Sequence, residues 1–140
     1  MQELFIGFML VIFPLFIVLN FKFSKSNKEI YCLYKVNRIN GLKKEWRSFG
    51  VSHTGRPSVI WSSTSKISLT EKGLYVEDIF PFSIVFKPYL IPWKDLEISG
   101  KQFFYWRLRV TKIDGVYMFF PKWVVKRMPL TKEKMDRSIL

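Results

Sequence analysis

The sequence predicts one N-terminal transmembrane helix followed by a mainly antiparallel β domain with one or two short helices, an α+β arrangement. Three observations carry this expectation. Residues 4–19 hold no charge and no polar side chain, and thirteen of these sixteen residues are Leu, Ile, Val or Phe. From residue 59 onward, short apolar runs alternate with Gly, Pro and Asp, the punctuation of strands and turns. The chain has 140 residues, enough for one domain of ordinary size.

The apolar stretch comes first. On an insertion scale its side chains contribute about −6 kcal/mol before correction for Gly7 and Pro14. Sixteen helical residues span about 24 Å, whereas a hydrocarbon core is about 30 Å thick. Phe21 and Phe23 extend the span, Lys22 can snorkel to the interface, and Pro14 is a point for a kink. Residues 1–23 are therefore expected to form the anchor. A cleaved signal peptide and a buried core helix are the competing readings. Met1-Gln2-Glu3 lacks the basic n-region of a signal peptide, and Ser24-Lys25-Ser26 is only a weak small-x-small site. Lys22, Lys25 and Lys28 follow the stretch and only Glu3 precedes it, so the positive-inside rule puts the C-terminal region in the cytoplasm. Phe21, Lys22, Phe23, Lys25 and Lys28 are the expected membrane-interface residues. Residues 24–27 then form a polar linker, and 28–140 a cytoplasmic β-rich domain.

Within that domain, residues 29–39 fit a helix (Ile30, Leu33, Tyr34, Asn37) and a strand (Ile30, Cys32, Tyr34, Val36) equally well. Asn40 can cap a short helix over 40–49, with Leu42, Trp46 and Phe49 on one face and Gly50 as its stop. Residues 51–57 read as a loop. Residues 65–69 alternate as a strand, 70–73 make a turn with Gly73 in the left-handed position, and 74–79 return as the partner strand. Pro81 breaks it, and residues 84–86 are a short apolar run. Pro88 and Pro92 confine Tyr89, Leu90 and Ile91 to an edge strand or extended loop. Residues 95–99 form a further strand stopped by Gly100.

The last hairpin has the sharpest signal. Residues 103–113 and 116–120 flank Asp114-Gly115, which favours a two-residue type I′ turn. That turn pairs Ile113 with Val116, Val110 with Phe119 and Arg109 with Phe120. One face then holds Phe104, Trp106, Leu108, Val110, Tyr117 and Phe119 and is the core candidate. The other holds Arg107, Arg109, Thr111, Ile113, Val116, Met118 and Phe120, a sheet face either covered by helices or open to a partner. The tail is basic, with Lys122, Lys126 and Arg127 before Pro129 and a short helix over 132–140 capped by Thr131.

The formal charge is +12, from 23 basic and 11 acidic residues, and it all belongs to the chain beyond residue 23. Such a charge either keeps the domain soluble or draws it to an anionic leaflet or an acidic protein. The chemistry inventory is short. The glycines are too dispersed for a phosphate-cradling loop, and one Cys with one His cannot build a Cys/His zinc cluster. No metal-ligand spacing and no cofactor motif appears. A Cys32–His53 nucleophilic dyad has no motif around either residue. Glu77-Asp78 and Asp95/Glu97 read as solvated charge. The aromatic-basic run 103–109 has the mixture found in single-strand binders, but no RNP1 pattern or recognition helix accompanies it, so nucleic-acid binding is disfavoured.

Gly73-Leu74-Tyr75, followed by Lys87-Pro88-Tyr89-Leu90-Ile91-Pro92-Trp93, resembles a group of small bacterial membrane-anchored proteins of uncharacterised function. In those, a GLY strand start precedes a PxLIPW-like segment. The similarity reaches back to Ile39-Asn40-Gly41 and covers residues 39–120. It departs at Tyr89, where a second proline is usual, and at Leu42, where an aromatic is usual. The resemblance implies a PH-like β-roll and, with the anchor, a single-pass location in the bacterial inner membrane. It brings no activity, and the Ile91-Pro92-Trp93 segment reads as a rigid strand entry whose Trp fills the core, with a ligand groove beside it as the alternative.

The expected function is a non-enzymatic, membrane-anchored interaction module that binds anionic lipid or an acidic protein partner through a basic surface. Arg107, Arg109, Met118, Phe120, Lys122, Lys126 and Arg127 form the candidate face. A small membrane-bound enzyme with a pocket near His53 and an immunity or accessory protein that neutralises an effector are the alternatives.

Overall fold

The computed structural model describes residues 1–22, 25–46, 49–52, 65–102 and 104–130. The chain opens on helix α1 (Gln2–Lys22), in which residues 1–16 are exposed throughout. Among the described residues no helix is long and apolar enough to cross a membrane. The expected transmembrane anchor is thereby overturned, and with it the single-pass inner-membrane location with a cytoplasmic C-terminal domain. The physical reason lies in length: the run free of charged and polar side chains, sixteen residues, gives about 24 Å of helix, short of the roughly 30 Å hydrocarbon core.

Helix α2 (Lys25–Tyr34) begins inside the segment expected to be a linker. Its Ile30 and Tyr34, one turn apart, are buried in the core, and Tyr31 packs against that core beside them. This resolves the helix-or-strand ambiguity of residues 29–39 in favour of a helix that stops at Tyr34. The chain then runs extended, Lys35 bridging to Tyr89 and Val36 N–H donating to the Pro88 carbonyl at 2.9 Å.

The helix expected over 40–49 does not form. Gly41 has φ +80°, a left-handed conformation that a helix interior does not hold, and the segment continues into the two-residue strand β1 (Glu45–Trp46). The i, i+4, i+7 spacing of Leu42, Trp46 and Phe49 was met by tertiary pairing instead. Phe49 is buried and stacks on Phe120 with ring centroids 5.2 Å apart. Strand β2 (Gly50–Ser52) occupies the start of the expected 51–57 loop.

The remaining elements are β3 (Ser65–Leu69), β4 (Gly73–Asp78), helix α3 (Phe82–Val85), β5 (Tyr89–Pro92), a 3-10 turn at Trp93–Asp95, β6 (Leu96–Lys101), β7 (Tyr105–Val110), β8 (Tyr117–Pro121) and helix α4 (Lys122–Val125). They form two four-stranded antiparallel sheets, in the orders β1-β3-β4-β5 and β2-β8-β7-β6. The expectation of mainly antiparallel sheet with a few helices therefore holds. Ile67, Leu74, Val76 and Ile91 from the first sheet and Leu96, Trp106, Leu108, Val110, Met118 and Phe120 from the second share a single apolar core.

Strand β4 is the most enclosed. All six of its residues are buried, because Leu74, Val76 and Asp78 face the core while Tyr75 and Glu77 are covered by the extended segment that follows α2. Gly73 is not left-handed. Its role is close approach: a Cβ there would meet the Ile91 carbonyl carbon at 2.7 Å across the β4–β5 ladder. Strand β5 is an edge strand, as its prolines require. Trp93 does not fill the core. It packs at its margin and donates its indole N–H to the Thr70 carbonyl at 2.8 Å, tying the β3–β4 turn to the 3-10 turn. Gly100 does not stop β6, which runs on to Lys101 through a register shift between Ile98 and Gly100.

The final hairpin forms with a different register. Trp106 pairs with Phe120, Leu108 with Met118 and Arg109 with Tyr117. Gly115 is left-handed at φ +73°, but the connection spans residues 111–116, closed by Val110 N–H to the Val116 carbonyl at 3.1 Å. Compared with a two-residue turn, the pairing slips by an odd number of residues. An odd slip exchanges the faces of β8, so Met118 and Phe120 enter the core and Tyr117 joins Arg109 outside.

Candidate functional site

The register decides the fate of the expected partner face. Met118 and Phe120 are fully buried and present nothing to a partner. Arg107 and Arg109 do lie on the outer face of β7, but both are engaged there. The Arg107 Nε donates to Ser99 Oγ at 2.9 Å, and its guanidinium lies 5.0 Å from the Tyr117 ring centroid. Arg109 binds Glu97 at 2.8 Å, and this hydrogen bond and charge raise the guanidinium pKa further above its ordinary value. Arg127 forms a two-pronged pair with Glu45 at 2.6 and 2.7 Å, which raises its pKa in the same way and ties the segment after α4 to β1. Lys122 and Lys126 are exposed. The seven residues therefore do not make one open surface.

Of the residues expected at a membrane interface, Lys28 is exposed on α2. Phe23 and the side chains of Phe21, Lys22 and Lys25 lie outside the described residues, as do His53 and the tail helix over 132–140.

Sequence reasoning missed the inward-facing acids. Glu77, Asp78 and Asp95 are buried, not solvated. Asp78 accepts from Tyr31 Oη at 3.0 Å and from Ser65 Oγ at 2.7 Å. Asp95 accepts from Tyr34 Oη at 3.1 Å and faces Lys112 Nζ at 3.4 Å. Glu77 pairs with Arg38 Nε at 2.7 Å and with Lys44, and accepts from Tyr75 Oη at 3.4 Å. Three carboxylates are thus used as internal acceptors, and two of them hold α2 in place. Burial pushes the phenols of Tyr31, Tyr34, Tyr75 and Tyr89 above their ordinary value, and the carboxylates beside them push the same way. These phenols are therefore neutral at physiological pH, and Tyr31, Tyr34 and Tyr75 donate to carboxylates.

Sequence reasoning also missed α3. The apolar run expected near 84–86 folds as a four-residue helix with no buried residue. Phe80 is 76% exposed, Ile84 73% and Val85 70%. A shallow groove of about 470 Å³ runs between α3 and α2, its lining including Tyr31, Cys32, Lys35, Val85, Phe86 and Lys87. A second groove of about 340 Å³ lies on the other side, its lining including Arg38, Lys44, Lys66, Glu77, Asp78 and Phe80. The signal for this site was the run Phe80-Pro81-Phe82-Ser83-Ile84-Val85-Phe86 closed by Lys87, too apolar for a loop with nothing to cover it.

Among the described residues no group of three His, Cys, Asp or Glu side chains could hold a metal ion. No family model, no curated protein and no solved structure matches this chain.

Proposed function

We propose that this chain is a non-enzymatic interaction module that binds an anionic partner through its surface charge. The partition of charge between inside and outside supports this reading. Glu77, Asp78 and Asp95 are buried as internal acceptors, and Glu45 and Glu97 each hold an arginine. Meanwhile ten of the twelve lysines whose side chains are described are exposed. Five of the eleven acids are thus engaged within the fold, and most of the described lysines carry the chain's +12 at the surface. Tyr31, Tyr34 and Tyr75 donate to the buried carboxylates, which accounts for these groups structurally without a reaction.

The test is salt-dependent binding of the full chain to two anionic probes, an acidic polypeptide and phosphatidylserine vesicles. Binding to at least one is expected at about 0.1 M salt, with loss towards about 1 M as the Debye length shrinks from about 10 to about 3 Å. Absence of salt-sensitive binding to both would overturn the reading.

A further inference from the structure

Ile84 and Val85 of α3 have no packing reason to be apolar. None of the helix residues is buried, and Ile84 and Val85, with Phe80 just before the helix, are largely exposed, Val85 at the groove toward α2 and Phe80 at the groove on the other side. Cations flank this tip on both sides. Lys35 and Lys87 rim the groove toward α2, and Lys66 lies in the groove on the Phe80 side, beside Arg38 and Lys44. Lys35 and Lys87 are both exposed.

We propose that the α3 tip is a docking surface for an anionic lipid interface. Phe80, Ile84 and Val85 enter the headgroup boundary while Lys35 and Lys87 meet the phosphate and carboxylate groups above them. This inference rests on the anionic-partner reading and gives it a place and a chemistry. Charge complementarity and exposure select lipid as the occupant: Phe80, Ile84 and Val85 are 70–76% exposed beside the exposed Lys35 and Lys87, and apolar side chains flanked by lysines match an anionic headgroup boundary. Contact of this kind is peripheral and requires no element to cross the bilayer.

The chain supplies its own probe. Cys32 is its one cysteine, is exposed, and lines the groove between α2 and α3. In the full chain, an environment-sensitive fluorophore on Cys32 is expected to shift on addition of phosphatidylserine/phosphatidylcholine vesicles and not of phosphatidylcholine alone. Lys35→Ala with Lys87→Ala is expected to weaken vesicle binding about thirty-fold, the loss two lysines near an anionic surface imply. Ile84→Asp is expected to weaken it about tenfold or more. Should Ile84→Asp fail to fold by circular dichroism, the lysine pair, which is wholly on the surface, decides the matter. Vesicle binding with no shift at Cys32 and no effect of these substitutions would overturn the α3 site while leaving the anionic-partner reading standing. Binding to an acidic polypeptide but not to vesicles would overturn the lipid assignment alone. Binding to neither would overturn both.

Discussion

Tyr34 donates its phenol to Asp95 Oδ2 at 3.1 Å, across 61 residues of chain. One turn back on the same helix, Tyr31 makes the corresponding bond to Asp78 at 3.0 Å, across 47 residues. Asp78 ends β4 in the first sheet, and Asp95 leads into β6 in the second. A single helix thereby fastens both sheets through a pair of tyrosine–carboxylate bonds.

Tyr34→Phe leaves a buried carboxylate with one donor fewer and fills the same space. It should lower stability by about 1–3 kcal/mol, read from the urea midpoint. An unchanged midpoint would show that the bond adds nothing to the fold.

Alkaline pH should unfold the chain from a defined side. Tyr31, Tyr34, Tyr75 and Tyr89 all have folded-state pKa values raised above the ordinary value near 10. Above about pH 10 the unfolded chain gives up protons that the folded chain keeps, so the unfolded state binds fewer and stability falls as pH rises. Below that pH the contribution is fully present. Tyrosinate absorbance followed alongside circular dichroism should show these four phenols ionising only as the structure is lost. Their ionisation near pH 10 in an intact fold would contradict this.

Glu77→Ala should cost about 2 kcal/mol, chiefly through lost charge-assisted bonds. Its side chain is 8% exposed, but Arg38 and Lys44 are 54% and 27% exposed and can turn to water, which spares the larger penalty of stranded charge. Thermal or urea denaturation measures it, and a neutral result would mean that the segment covering β4 is held by its backbone and apolar contacts alone.

Two glycines should respond oppositely to the same change. Gly73→Ala forces the β4–β5 ladder apart at Ile91 and should cost about 3 kcal/mol, while Gly7→Ala has nothing within 4 Å of the added methyl and should leave the domain's unfolding midpoint where it is. Comparable midpoints for the two variants would contradict the close approach.

What could be read from sequence was whatever the local pattern determines. In β7, Trp106, Leu108 and Val110 alternate with Arg107 and Arg109, and that face is the core face in the structure. In β8, Tyr117, Met118, Phe119 and Phe120 are apolar at both parities, so their direction depends wholly on the register. Asp114-Gly115 pointed to a two-residue turn, and the longer connection over 111–116 placed Met118 and Phe120 inside instead of on a partner face. The buried carboxylates were illegible for a different reason. The tyrosine donors to Asp78 and Asp95 sit on α2 and the cations paired with Glu77 in the segment after it, and no pattern local to the acids announces partners that far away in the chain. The apolar segment at the start was legible as a helix, but its charge-free length falls short of a bilayer.

The position of α2 in the chain also sets an order of events during synthesis. Tyr31 and Tyr34 leave the ribosome well before their acceptors, since the chain must lengthen by 47 and then by 61 residues before Asp78 and Asp95 exist to receive them. Even then the core around Leu96 awaits β7 and β8. A helix that precedes every described strand is therefore locked only after the last of them is made. Until β8 has emerged, its aromatic face is open to whatever attends the nascent chain.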